Sequence, residues 1–533
     1  MKIRILTFIL AICILGASCC FVSCNNGDSN TTTGGGEQDI ELNIIDDNYR
    51  NWYEIFVYSF YDTDNDGIGD ISGVTEKLDY IQEMGFNGIW LMPIHPSPTY
   101  HKYDVKDYYA IDSAYGTLED LDTLVEEAHK RGIKIILDLV VNHTSSDHPW
   151  FKEACEYIRE NGEPGGEYGD YYRFYNGSLG GYSQVQGTQY YYESRFWSGM
   201  PDLNLDSEAV RGEIVDIMKY WMLDHNIDGF RLDAVTSYYT GDVNKNVEFL
   251  SWLNTEAKAI RSDCYLVGEA WEGSDYQINR YYESGVDSFF LFTGAQATGT
   301  IATLVKQQSG AQLGELMLDL QDTYKNGILA PFLGNHDTMR PGSFMPGIEN
   351  VKMAAGVLSM MNGGTFVYYG EEIGMISKGG SNSDPAKRIA MMWSDKKVYE
   401  GWCYMSPEGI TVDESSYYYP SVETQLDDPN SILNYYKQAM TLRNRFPSIA
   451  RGEIEYFPEG QNNYICVIRK TYQDESIVIV FNLDSFEQTV SLDKSTLGFS
   501  DMVGELYADN SSQAVWDGEG TLTMPPYSIV IFK

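Results

Sequence analysis

The stretch Gly229-Phe230-Arg231-Leu232-Asp233-Ala234-Val235 decides the fold. It is a short apolar run that closes on an acidic residue, and two later segments repeat the arrangement: Val267-Gly268-Glu269-Ala270-Trp271 and Gly334-Asn335-His336-Asp337. In an α/β barrel the C-terminal ends of the strands form the edge where chemistry is done, so acids at those positions point to such a barrel.

Working outward, β-type apolar runs alternate with helical stretches from residue 51 to about residue 367. The runs are Glu54–Tyr58, Gly88–Met92, Ile133–Asp138, Gly229–Asp233, Tyr265–Glu269, Ser288–Phe292, Leu329–Leu333 and Thr365–Tyr369. Between the second and third, Leu121, Leu124, Val125 and Ala128 recur at i, i+3, i+4 and i+7 before Gly132, which reads as an amphipathic helix with its stop signal. Eight strand-helix units in series predict a (β/α)8 TIM barrel. Residues 143–203 are rich in Gly, Tyr and Ser, too long for a simple loop, and predict a small inserted domain after strand 3 that lines the cleft. Beyond a helical stretch over 431–446 the pattern changes to short β runs separated by turn residues, which predicts a C-terminal antiparallel β-sandwich over 448–533. The barrel is expected in two parts, 46–142 and 204–447.

Three carboxylates converging on one rim suit cleavage of a glycosidic bond. One attacks the sugar carbon, a second protonates the departing oxygen and later activates water, and a third holds the cationic ring between them. Composition agrees with a neutral substrate. The chain has 77 acidic against 37 basic residues in 533, a net charge of −40, which excludes nucleic acid and wide docking on anionic lipid. Its 41 tyrosines offer rings that stack on sugar faces and hydroxyls that hydrogen-bond them.

The first residues read as a targeting segment, with Lys2 and Arg4 ahead of the apolar stretch Ile5 to Leu15. Four of the eight cysteines (Cys13, Cys19, Cys20, Cys24) lie within residues 1–24, and a polar, Gly/Thr-rich tether follows over 25–45. The arrangement resembles a bacterial lipoprotein signal, with Cys24 favoured over Cys19 or Cys20 as the anchor because the tether begins right after it. The alternative is an ordinary secretory signal. Either predicts an exported chain, secreted in the second case and in the first attached to a membrane through a lipid anchor only. Cys155, Cys264, Cys403 and Cys466 are scattered, with no disulfide framework.

The segments Asp138-Leu-Val-Val-Asn-His143, Gly229-Phe-Arg-Leu-Asp233, Gly268-Glu269 and Asn335-His-Asp337, in that order, resemble the ordered motifs of the α-amylase family, glycoside hydrolase family 13. The resemblance implies Asp233 as nucleophile, Glu269 as general acid/base and Asp337 as the carboxylate that stabilises the transition state. It also implies that His143 and His336 hydrogen-bond the sugar, that Tyr103 stacks on it, and that Asp138 supports the site. Arg231 lies two residues before Asp233 and so on the same face of the strand, where a guanidinium keeps the carboxylate ionised and aimed. Glu269 needs the opposite, a pocket that raises its pKa, to which Trp271 and Asp233 are expected to contribute.

Asp62-Thr-Asp64-Asn-Asp66-Gly67-Ile68-Gly-Asp70 carries acids at positions 1, 3, 5 and 9 with glycine at 6, the first part of a calcium loop, but Gly73 replaces the closing glutamate of an EF-hand. It resembles the metal loop of oligo-1,6-glucosidases and some bacterial amylases, which implies structural Ca²⁺ held by Asp62, Asp64, Asp66, Asp70 and the Ile68 carbonyl. No metal is predicted at Asn142, because Thr236-Ser237 replaces the Lys-His that many family members carry after the nucleophile.

Met200-Pro-Asp-Leu-Asn204 resembles the group intermediate between oligo-1,6-glucosidases and neopullulanases. Strict α-glucosidases carry an aspartate where this chain has Tyr100, a stacking face that leaves the cleft open to longer glucans. The expectation is a retaining, endo-acting hydrolase of α-1,4 bonds in starch and maltodextrin. The alternatives are a neopullulanase, cyclomaltodextrinase or α-glucosidase activity and, in another class, a non-catalytic glycan-binding lipoprotein, which the intact Asp233, Glu269 and Asp337 speak against.

Overall fold

The computed structural model describes residues 42–378, 383–407, 419–458 and 460–533. The segment read as signal and most of the tether lie outside the described residues. No helix among those described is long and apolar enough to cross a membrane.

Strands β1 (Asn51–Ile55), β2 (Gly88–Leu91) and β3 (Lys134–Leu139) begin the barrel. Then comes a three-stranded antiparallel sheet of β4 (Phe174–Asn176), β5 (Tyr182–Gln184) and β6 (Tyr190–Glu193), in the order β4-β6-β5. The helix Pro149–Asn161 precedes it. The barrel resumes with β7 (Gly229–Leu232), β8 (Tyr265–Gly268), β9 (Ser288–Phe290), β10 (Ile328–Ala330) and β11 (Thr365–Tyr368). All neighbours pair in parallel in the order β10-β9-β8-β7-β3-β2-β1-β11. Two bonds join the ends of that sheet, Gly364 N to Leu329 O (2.8 Å) and Phe366 N to Pro331 O (3.0 Å).

The strands are buried along almost their whole length, as a barrel covered by helices on one side and packed within on the other requires. The connecting helix Leu118–Lys130 buries Leu121, Leu124, Val125 and Ala128 and starts with a capping box between Thr117 and Asp120, which satisfies two otherwise orphaned amides. The first strand starts three residues earlier than its apolar run, at Asn51, and the chain leaves the sheet at Phe56. Polar residues hide that start. Asn51 is buried with its amide on Asn87 Oδ1 (2.8 Å), and the preceding Arg50 donates to the carbonyls of Asn87 and Gly132.

After β11 the helix Ile432–Arg445 leads into β12 (Glu453–Tyr456), β13 (Ile465–Tyr472), β14 (Glu475–Asn482), β15 (Gln488–Ser491), β16 (Met502–Tyr507), β17 (Val515–Trp516), β18 (Thr521–Met524) and β19 (Ser528–Phe532). They form two antiparallel sheets, β12-β13-β14-β19-β16 and β15-β18-β17, around a core that includes Val467, Val480, Leu522 and Val530. Cys155, Cys264, Cys403 and Cys466 are free and buried.

Candidate active site

The C-terminal ends of neighbouring strands bring the acids together. Asp233 follows β7 and its amide donates to Leu139 O of β3 (3.3 Å), while Glu269 follows β8 with its amide on Leu232 O (3.0 Å). Close strand packing underlies this register. Gly229 opens β7 at φ +152°, and a Cβ there would lie 1.9 Å from Tyr265 O; a Cβ on Gly268 would lie 2.4 Å from the Phe289 ring.

Arg231 is the hub. Its guanidinium, almost completely buried, meets Asp138 Oδ1 (2.5 Å), Asp233 Oδ1 (2.7 Å) and Glu269 Oε2 (3.1 Å). One fixed cation therefore orients three carboxylates. Burial pushes the Glu269 carboxyl up to about 7, opposed by Arg231 and reinforced by the negative charges of Asp233 and Asp337. That is the range a group needs to give and retake a proton near neutrality. Trp271 is nearly half exposed, stacks on Phe292 at 4.7 Å and lines the same cleft as Glu269. Burial likewise raises Asp138 to about 6 against the pull of Arg231. Asp138 Oδ2 accepts from Trp90 Nε1 (3.1 Å) and the Tyr103 hydroxyl (3.2 Å), a supporting position.

Asp337 has different neighbours. Burial alone would raise its carboxyl, but His336 Nε2 at 3.0 Å and Arg388 Nη2 at 2.8 Å hold it well below the usual carboxylate range. His336 is raised to about 9: burial disfavours its charge, and Asp337 with Glu54, 2.5 Å from Nδ1, more than offsets that. Tyr103 Oη lies 2.7 Å from His336 Nε2, and the two rings stack at 5.5 Å.

A cleft of about 390 Å³ opens over these groups, lined by Tyr103, His143, Asp233, Glu269 and Asp337, together with His101, Phe196, Trp197, Met200, Trp271, Asp384 and Arg388. Arg231, His336 and Tyr100 are not among the lining residues. Tyr100 packs edge-on to Phe56 and Tyr58, and its hydroxyl lies 3.4 Å from Arg388 Nη1. Phe196 and Trp197 are about half exposed, as stacking platforms must be. Phe196, Trp197 and Arg388 had no part in the motif reading, because they lie in a loop of the insert and in the segment after β11, where no strand end marks them. The apolar pair Phe196-Trp197 inside a polar, Gly-rich stretch is the one sequence signal that points to them.

In the acidic loop Asp62, Asp64 and Asp70 bring one carboxylate oxygen each within 4.8 Å of one another. Asp66, in the same loop, accepts from Ile68 N through Oδ1 (2.7 Å), as Asp64 Oδ1 accepts from Asp66 N (3.0 Å). The segment after β11 straps the loop: Gly401 O accepts from Asp62 N (3.2 Å), Met405 N donates to Gly67 O (2.9 Å) and Tyr404 Oη to Asn65 O (3.2 Å).

The family model for the α-amylase catalytic domain matches residues 54–452. The chain belongs to the α-amylase family of glycoside hydrolases. It is 37% identical to alpha-amylase 3 of Dictyoglomus thermophilum over 91% of this chain and 93% of that one. Oligo-1,6-glucosidase of Parageobacillus thermoglucosidasius is 31% identical over 81% of this chain and 89% of its own length. Among solved structures, Eubacterium rectale Amy13B superposes with a TM-score of 0.86 at 42% identity, covering 92% of this chain and 97% of that one. The α-amylase of H. orenii gives 0.78 at 32% identity, with 91% and 99% covered. The α-amylase fold expected from the motifs is thus the fold observed, and the protein is an enzyme of that family.

Proposed function

We propose that this α-amylase family hydrolase cuts internal α-1,4-glucosidic bonds of starch and maltodextrins with retention of configuration. One observation carries the reading: a single buried guanidinium ties Asp233 to Glu269, while burial places Glu269 at about 7. Asp233, aimed by Arg231, attacks the anomeric carbon. Glu269 protonates the leaving oxygen and then takes a proton from the water that releases the sugar. Asp337, held ionised by His336 and Arg388, faces the positive charge of the ring in the transition state. His143 and Tyr103 line the subsite where the bond breaks. Phe196, Trp197 and Trp271 extend the contact surface beyond one sugar, which supports cutting within a chain over trimming its end.

The acidic loop fits Ca²⁺ by donor chemistry, since Asp62, Asp64 and Asp70 supply hard oxygens on a short turn. Bound there, the ion would stabilise the loop and take no part in catalysis. The N-terminal segment is consistent with export and lipid anchoring.

Product analysis tests the reading. Purified protein incubated with soluble starch, pullulan, cyclodextrin and isomaltose should release mixed maltooligosaccharides from starch, with viscosity falling faster than reducing ends appear. Viscosity falling only in proportion to released glucose would mean exo-action. Preferential cleavage of isomaltose would assign the α-1,6 specificity named for one relative.

A further inference from the structure

Ala234, directly after Asp233, has φ +48°, the left-handed region that a Cβ disfavours. A non-glycine residue held there beside reacting groups calls for an account. The bend turns the Ala234 amide onto Glu269 Oε2 at 2.8 Å, and Arg231 Nη2 reaches the same oxygen at 3.1 Å. Ser237 N then bonds Ala234 O at 2.8 Å and closes the turn. Glu269 Oε1 has no protein partner among the described residues, and Glu269 lines the cleft.

We propose that Ala234 is a positioning residue: its backbone N–H reserves Oε2 of Glu269 as the fixed acceptor, so that the proton exchanged with the glucan is carried by Oε1. This rests on the reading of Glu269 as the acid/base. An oxygen that already accepts from an amide and lies against a guanidinium 3.1 Å away is held in its ionised, accepting role, whereas Oε1 is open to the cleft. In the first half of the reaction an Asp233 oxygen bonds to the anomeric carbon. The carbon–oxygen bond to the leaving sugar breaks with its electron pair on that oxygen, which takes the proton from Oε1. In the second half a water oxygen bonds to the same carbon, its proton passes to Oε1, and Asp233 departs with the electron pair of its ester bond. Throughout, the charge that appears on Glu269 meets a preset amide donor and a fixed cation at Oε2. The charged and titratable groups that face Glu269 are Arg231, Asp233, Asp337 and the buried phenol of Tyr238. Of these Arg231 alone shares the Oε2 contact.

The chain contains a single Asp-Ala dipeptide, Asp233-Ala234. Labelling with ¹³C-carbonyl aspartate and ¹⁵N-alanine therefore isolates one amide resonance in the intact protein. Its proton shift should titrate with the midpoint of the basic limb of kcat/KM, and the Glu269→Gln variant should lose that titration. An amide that does not titrate, or that titrates unchanged in E269Q, overturns the proposal. As a second measurement, replacing the 233–234 amide by an ester through α-hydroxy acid incorporation removes the donor. The basic limb should move up by about one pH unit, because a lost hydrogen bond to a carboxylate raises its pKa. Turnover of maltoheptaose should fall about tenfold, with α-maltosyl fluoride, whose leaving group needs little acid, largely spared. Equal loss on both substrates with unmoved pH limbs would mean a merely structural role and would sink the idea. The acid/base reading is checked separately. E269Q should lose the first, bond-breaking step on maltoheptaose and keep it on the fluoride, read as a rapid burst of fluoride release before the slow hydrolysis of the glycosyl-enzyme, and if both first steps are lost alike, Glu269 itself is misread whatever the Ala234 amide does.

Discussion

Removing the Arg231 guanidinium tests the electrostatic account of the site most directly. In Arg231→Leu three buried carboxylates, Asp138, Asp233 and Glu269, lose the cation that they share. Taking one partner from a buried ion pair costs about 3–5 kcal/mol, because the other charge stays buried and unpaired. Unfolding entropy grows with chain length, to roughly 1 kcal/mol per degree for a chain of this size, so the melting temperature should drop by about 3–5 °C at pH 8. The pH dependence carries the sharper test. Asp138 already sits at about 6 with Arg231 pulling it down, and burial drives it higher once the pull is gone. A carboxyl raised in the folded state above its unfolded value destabilises at high pH, and the penalty disappears as pH falls through the folded pKa. The deficit of R231L should therefore be largest at pH 8 and shrink steadily towards pH 5. The basic limb of kcat/KM should move up in parallel, since Arg231 also holds Glu269 down. Calorimetry at several pH values, with pH-rate profiles on maltoheptaose, reads both. A melting deficit that is the same at pH 5 and pH 8 would show that Arg231 acts by packing over Trp90 and Tyr103 and not by its charge.

Retention predicts that proton NMR of early products shows the α-anomer first, because Asp233 and Glu269 would stand roughly 5–5.5 Å apart, too close for an intervening water. Added Ca²⁺ should raise the melting temperature by mass action, about 2.7 kcal/mol at a hundredfold excess over Kd. Asp64→Ala should abolish that response with little change in rate at moderate temperature. Trp197→Ala should raise KM for maltoheptaose several-fold while altering maltose turnover little, and equal effects on both would place the ring outside the glucan path. Because His336 is raised to about 9 by Asp337 and Glu54, its contribution to stability is complete below about pH 6.5 and is lost as pH rises through 9. His336→Gln should remove that slope from the melting curve.

The barrel was legible because strands buried on both faces leave continuous apolar runs that stop at acids, and Asp233, Glu269 and Asp337 sit where those runs stop. Arg231 was legible through the two-residue period of a strand. What stayed hidden depends on contacts between distant segments. Arg388 lies 51 residues from Asp337, Glu54 is 282 residues from His336, and no local pattern marks either. The start of β1 was displaced because Arg50 and Asn51 are polar residues made tolerable in the core by bonds to the turn before β2 and the one before β3.

The strap over the acidic loop bears on how this enzyme can be recombined with its relatives. A Cβ on Gly67 would lie 2.6 Å from both Tyr404 and Met405, and one on Gly401 would lie 1.9 Å from the Tyr61 ring, so loop and strap are shaped to each other across more than 330 residues of chain. The strap belongs to the same stretch after β11 that delivers Lys387 to the Asp337 carbonyl (2.6 Å) and Arg388 to its carboxylate. A chimera whose crossover falls between residues 70 and 383 would inherit loop and strap from different parents, and the misfit would be transmitted towards Asp337. Exchanging both segments together keeps the fit of loop to strap that a single crossover breaks.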